Sequence, residues 1–131
     1  MRTIKFRGKR PDTMEWAVGS LVECFNGKTG IVSMTKYSEE NGIKAIIDEV
    51  SPDTIGQYTG MNDKNGKEIY EGDIFKAGYF GEADVVTWDD KNARYIGRSP
   101  KGYISYVGRE PAVEIIGNIH DNPELLKGGE Q

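Results

Sequence analysis

The 131-residue chain has one cysteine, Cys24, and one histidine, His120. A single thiol excludes an intramolecular disulfide and any zinc site built from several cysteines. A single histidine excludes a multi-histidine metal centre, and a histidine-bearing triad could use only His120. No stretch approaches the ~18 apolar residues of a membrane span. The opening "MRTIKFRGKR" has no apolar core long enough for a secretory signal. These absences lead us to expect no membrane association and a reducing, cytoplasmic compartment, which a lone thiol fits. Basic charge is also in short supply. The 17 Lys and Arg are outnumbered by 21 Asp and Glu, for a net charge of −4. General nucleic-acid affinity is therefore not expected, although local basic patches remain compatible with it.

Glycine, by contrast, is abundant, at 17 of 131 residues. That is roughly twice the ordinary share, and its spread along the chain points to many turns between short strands. The length fits one ordinary domain or two small lobes sharing a core. "RTIKFRGK" alternates, so Ile4 and Phe6 are expected to face a core while Lys5 and Arg7 face water. "RPDT" and "FNGKTG" read as turns between strands. "IKAIIDEV" (43–50) is ambiguous: Ile43, Ile46, Ile47 and Val50 satisfy helical spacing, while its β-branched content favours a strand. A strand is expected around Thr54–Thr59. "DIFKAG", "ADVVTWDD", "ARYIGR", "GYISYVG" and "AVEIIGNI" then follow at intervals near the ~8–12 residues of a small sandwich or barrel. "DNPELL" reads as one short helical turn with Asn122 as its cap and Pro123 at its first position.

The segment "TGMNDKNGKEIYEGDIF" (59–75) advertises ligand chemistry more loudly than any other. Counting positions removes the obvious ligands. With Gly66 as the sixth residue of a calcium loop, Met61 falls at the first position and Gly72 at the twelfth, where carboxylates are required. As a phosphate loop it has five residues between Gly60 and Gly66 instead of four, and Glu68 stands where Ser or Thr should hold magnesium. The remaining reading is structural. Asn65–Gly66 suits a type I′ hairpin turn, and Gly72–Asp73 suits a tight bend opening the next strand, as in small SH3-like barrels. His120 is expected to cap or to bond polar groups at the surface. No cofactor or metal is expected, and the many carboxylates are read as solvated charge.

Residues 93–109, "ARYIGRSPKGYISYVGR", carry Arg94, Arg98, Lys101 and Arg109 with no acid, interleaved with Tyr95, Tyr103 and Tyr106. Basic groups among aromatics on a β surface suit single-stranded nucleic acid. They make this stretch the candidate surface for nucleic acid or another partner, against the plainer alternative of an ordinary strand face with half-buried tyrosines.

"IKFRGK", "QYTGMNDKNGKEIYEGDIF", "VVTWDD" and "EIIGNIHDNPELL" occur in an order that resembles the YopX family of small bacteriophage and prophage proteins. The likeness runs from Ile4 to Leu126, while Thr29 to Asp53 matches no family pattern. The resemblance implies a mainly β protein with an SH3-like barrel in its second half, in a bacterial or phage cytoplasmic setting. It brings no catalytic residues. Together these readings give an N-terminal β lobe (1–59), an SH3-like β-barrel lobe (60–126) and a frayed tail (127–131), which could form one compact domain overall. The expected function is a non-enzymatic interaction module with a protein partner or with itself, because unpaired strand edges must be covered. The alternative is a nucleic-acid-binding β-barrel.

Overall fold

Alternating short apolar runs separated by Gly, Asn and Pro turns produce a chain that is mainly β. The structure is a computed structural model and describes residues 2–76, 82–107 and 113–126. The chain divides into two compact units, Met1–Gln57 and Tyr58–Gln131.

The first unit is an antiparallel meander of β1 (Phe6–Lys9), β2 (Trp16–Glu23), β3 (Thr29–Ser38) and β4 (Gly42–Glu49), in the order β4-β3-β2-β1. Residues 43–50 therefore resolve as a strand for most of their length. Ala17, Ile31 and Val50 form the buried core, with Phe6, Leu21 and Ile55 packed against it. The alternation expected at the N-terminus holds only in part. Phe6 packs inward, but Ile4 is 58% exposed. Arg7, expected in water, lies 4.6 Å over the Trp16 ring, and Lys9 lies over the same ring at 5.4 Å. Long basic side chains can lay their stems on apolar surface and their charge on an indole face, which a simple two-residue period does not anticipate. Pro52–Thr54 forms a 3-10 turn where a strand was expected to begin. β5 (Gly56–Asn62) then runs across the division between units. Gly56 and Gln57 pair with β1, whereas Tyr58 and Asn62 pair with β6 (Glu68–Tyr70).

The second unit adds an antiparallel sheet of β7 (Asp73–Lys76), β8 (Ala83–Asp89), β9 (Arg94–Arg98), β10 (Ile104–Ser105) and β11 (Glu114–Asn118), in the order β10-β9-β8-β7-β11. Its core is Ile69, Phe75, Val86, Val107, Val113 and Ile115, with Tyr95 against it. Gly97 makes room for this core. A Cβ there would lie 2.4 Å from both Phe75 Cζ and Ser105 Oγ, so only glycine lets the Phe75 ring reach β9. The sheet is open, with β10 at one end and β11 at the other. No closed barrel is found among the described residues, so the SH3-like barrel is realised only as far as an antiparallel sheet. The C-terminal helical turn is a 3-10 turn over Pro123–Leu126. The Asn122 side chain does not cap it. Its Oδ1 accepts instead from the Asn118 N–H at 3.2 Å, tying the turn back to β11. The tail, 127–131, lies outside the described residues.

Candidate functional site

Asp63 organises the 59–75 segment. Its Oδ1 accepts from the N–H groups of Asn65 (2.8 Å) and Lys67 (2.9 Å), and its Oδ2 accepts from the Ile115 N–H (3.0 Å). The Lys64 N–H donates to the Val113 carbonyl at 3.0 Å. Burial opposes the charge on Asp63, but the amide bonds from Ile115, Lys67 and Asn65 outweigh it and hold the carboxyl below its ordinary range. The loop thus fastens itself to β11, and both carboxylate oxygens are occupied by backbone.

The turn type differs from the sequence expectation. The Gly66 N–H donates to the Asp63 carbonyl at 3.0 Å, and the Asp63 N–H to the Lys67 carbonyl at 2.7 Å. Gly66 has φ 83°, but Asn65 is not left-handed. This is a type I turn with a glycine bulge, not a two-residue type I′ turn. Asp63 is the reason: its carboxylate gathers the amides at 65 and 67 into one concave turn. Cys24–Lys28 and Ser99–Tyr103 repeat the same pair of backbone bonds. Further along, Gly72 has φ 89°, and Asp73 closes the corner by accepting from the Tyr70 N–H at 2.8 Å.

The basic and tyrosine-rich stretch does not come together as one free surface. Arg94 donates from Nε to Asp89 Oδ2 at 3.0 Å and lies 4.8 Å over the Tyr106 ring. The hydrogen bond to Asp89 holds Arg94 more firmly protonated, while bonds from Asn92 and Arg94 hold the Asp89 carboxyl below its usual range. Tyr95 packs on the core and meets Trp88 edge-on at 4.8 Å. Lys101 pairs with Glu82 at 3.7 Å. Arg98 and Tyr103 are exposed. Arg98 borders an open hollow of about 310 Å³, lined also by Val85, Thr87, Ser99, Pro100 and Leu126. Arg109 lies outside the described residues.

Nearby, Asp84 is buried and accepts from Ser105 Oγ at 2.7 Å; burial pushes its carboxyl above the ordinary range despite that bond. Among the described residues no group of three or more His, Cys, Asp and Glu is placed to hold a metal ion. The His120 N–H donates to Asn118 Oδ1 at 3.0 Å, and Cys24 is exposed at the β2–β3 turn. No helix is long and apolar enough to cross a membrane among the described residues.

The surface that sequence reading missed is on the β3–β4 hairpin. Tyr37 (70% exposed) stands opposite Ile43 (75%), and Ile47 (55%) lies opposite Val32 on the same face. Ile46 (51%) is on the other face, opposite Met34. A signal for this was present. If 43–47 is a strand, adjacent Ile46 and Ile47 must point to opposite faces, so both are buried only where the sheet is covered on both sides.

Residues 5–127 match the protein family described as YopX protein. Among solved structures, the chain is similar to protein EF1440 from Enterococcus faecalis, with 25% sequence identity and a TM-score of 0.61. That likeness covers 96% of this chain and 99% of the other. A comparison with curated proteins found no match.

Proposed function

The chain belongs to the YopX family, and from that premise we propose that it is a non-enzymatic interaction module that contacts another protein through the outer hairpin of its first unit. The observation that carries this reading is the exposure of Tyr37, Ile43 and Ile47 on one face of β3–β4. Large apolar side chains clustered in water on one strand pair mark a contact surface more often than a solvated one. The setting we infer is an accessory role in a phage or prophage, in the cytoplasm of a bacterial host, following the family resemblance.

The test is capture of an interacting protein from bacterial extract by the tagged chain. Ile43→Ser with Ile47→Ser is expected to abolish capture while the melting temperature stays within a few degrees, because both side chains are already largely in water. Undiminished capture by that variant overturns the reading, as does a wild type that captures nothing and does not associate with itself. Nucleic-acid binding by the second unit is the rival reading, and the exposure of Arg98 and Tyr103 is what favours it.

A further inference from the structure

We infer that β4 pairs edge to edge with β4 of a second copy, antiparallel, across a two-fold axis at Ile46. This rests on the reading of the outer hairpin as a protein-contact surface and names its occupant.

The ends of the sheets differ in how they are finished. At β11 the Asp63 turn supplies a carboxylate to the Ile115 N–H and an amide to the Val113 carbonyl. The strand is also irregular between Ile115 and Gly117. β10 has two residues and β6 three, too short to template another strand. β4 has eight residues and ends its sheet with no strand beyond it among the described residues. It contains no proline, and the register shift in its hairpin adds its extra residue to β3 rather than to β4. Of the usual protections of an edge, only charged side chains are present, at Lys44, Asp48 and Glu49.

Lys44 and Asp48 do not repel a second copy of the same strand. A two-fold axis perpendicular to a sheet pairs a strand with itself antiparallel and keeps like faces together. With the axis at Ile46, Lys44 stands opposite Asp48 of the second copy, and by symmetry the reverse. Ile46 meets its own equivalent on that same face. Ala45 and Ile47 meet each other on the opposite face. No other two-fold register sets Lys44 against Asp48. The segment Lys44–Asp48 is thus self-complementary, with opposite charges at its ends and an apolar centre. Lys44 has no ion pair among the described residues and is exposed. Asp48 accepts from Ser33 Oγ at 3.2 Å and has Arg10 Nη1 at 3.7 Å, which leaves acceptor capacity for a further cation. Opposite charges facing each other across strands stabilise a pair, and like charges disrupt it.

Disulfide trapping reads the register directly. In a Cys24→Ser background, Ile46→Cys is expected to give a covalent dimer under mild oxidation by copper phenanthroline. Directly opposed residues lie about 4.5–5.5 Å apart between Cα atoms, within disulfide reach. Lys44→Cys is expected to remain monomeric on the same gel, since its two copies would stand four residues out of register, roughly 14 Å apart. Sedimentation of the full chain supplies the second readout. Lys44→Glu is expected to weaken self-association roughly tenfold, and adding Asp48→Lys to restore it.

Equal trapping at both positions, or indifference of the dimer to the charge reversal, overturns the register. A wild-type chain that is monomeric at about 100 µM overturns the pairing. If that monomer still captures a different protein, and loses it on Ile43→Ser with Ile47→Ser, the contact-module reading stands without a second copy. If it captures nothing, both fall.

Discussion

Asp63 receives three amide hydrogens on its two oxygens, so its charge is solvated by the backbone of its own turn and of β11. Replacement by Asn keeps the shape but turns one acceptor arm into a donor aimed at another donor. Asp63→Asn is therefore expected to lower stability by about 2 kcal/mol at neutral pH, measured by urea unfolding. The pH response follows from the sign of the shift. The folded carboxyl titrates below its unfolded value, so its contribution is complete above about pH 5 and is lost as pH falls through the folded pKa. The variant should show a shallower acid loss than the wild type; an equal slope would separate Asp63 from acid unfolding. Asp84 carries the opposite sign. Burial raises its carboxyl above the unfolded value, so ionising it at neutral pH works against folding. Asp84→Asn, which keeps an acceptor for Ser105, is expected to raise the melting temperature by about 1–3 °C at pH 7. That gain should shrink as pH falls and the wild-type carboxyl becomes protonated. A variant that melts lower at pH 7 would contradict this account.

Three turns built on one plan recur at the level of elements: Cys24–Lys28, Asp63–Lys67 and Ser99–Tyr103. Each closes with the first residue's carbonyl on a left-handed glycine, and Gly66 is the member that also fastens β11 through its neighbours. Gly66→Val is expected to cost about 1–2 kcal/mol, because a β-branched side chain is strained at φ 83° while open space surrounds the site. Calcium added at millimolar concentration should leave wild-type and variant melting unchanged, since the Asp63 oxygens already serve amides; calcium-dependent stabilisation would reopen the ligand reading. These elements also show what the sequence could and could not say. Asn-Gly marked the turn at 65–66, but not that the carboxylate two residues earlier would lengthen it and leave Asn65 right-handed. The alternation around Phe6 marked β1, but not that Arg7 and Lys9 would lie on Trp16, because stacking depends on the cross-strand pairing of Lys9 with Trp16. Residues 43–50 fitted two periods, and only the pairing with β3 settles them as a strand with apolar groups on both faces. Sheet closure was not legible at all, since the end of β11 is taken by side-chain and loop bonds that leave no trace in hydrophobic periodicity.

For the molecule as a whole, the question is whether its basic residues act as one field. Net charge is −4, so any attraction to phosphate must come from a local cluster strong enough to overcome the rest. The 93–109 stretch has no acid in sequence, which is why it read as such a cluster. Folding changes that balance: Asp89 is brought onto Arg94 and Glu82 onto Lys101, both acids from outside the stretch. Tyr95 faces the core and Tyr106 lies beneath Arg94, so two of the three stacking rings are already engaged. A neutralised cation releases no counterion when phosphate approaches, and a covered ring offers no face to a base. Fluorescence anisotropy with a single-stranded oligonucleotide at about 150 mM salt is therefore expected to show no binding, and at most weak binding at about 50 mM that vanishes in Arg98→Glu. Sub-micromolar affinity with a steep salt dependence would mean that these ion pairs open on contact with phosphate. It would shift the function from protein contact on the first unit to nucleic-acid contact on the second.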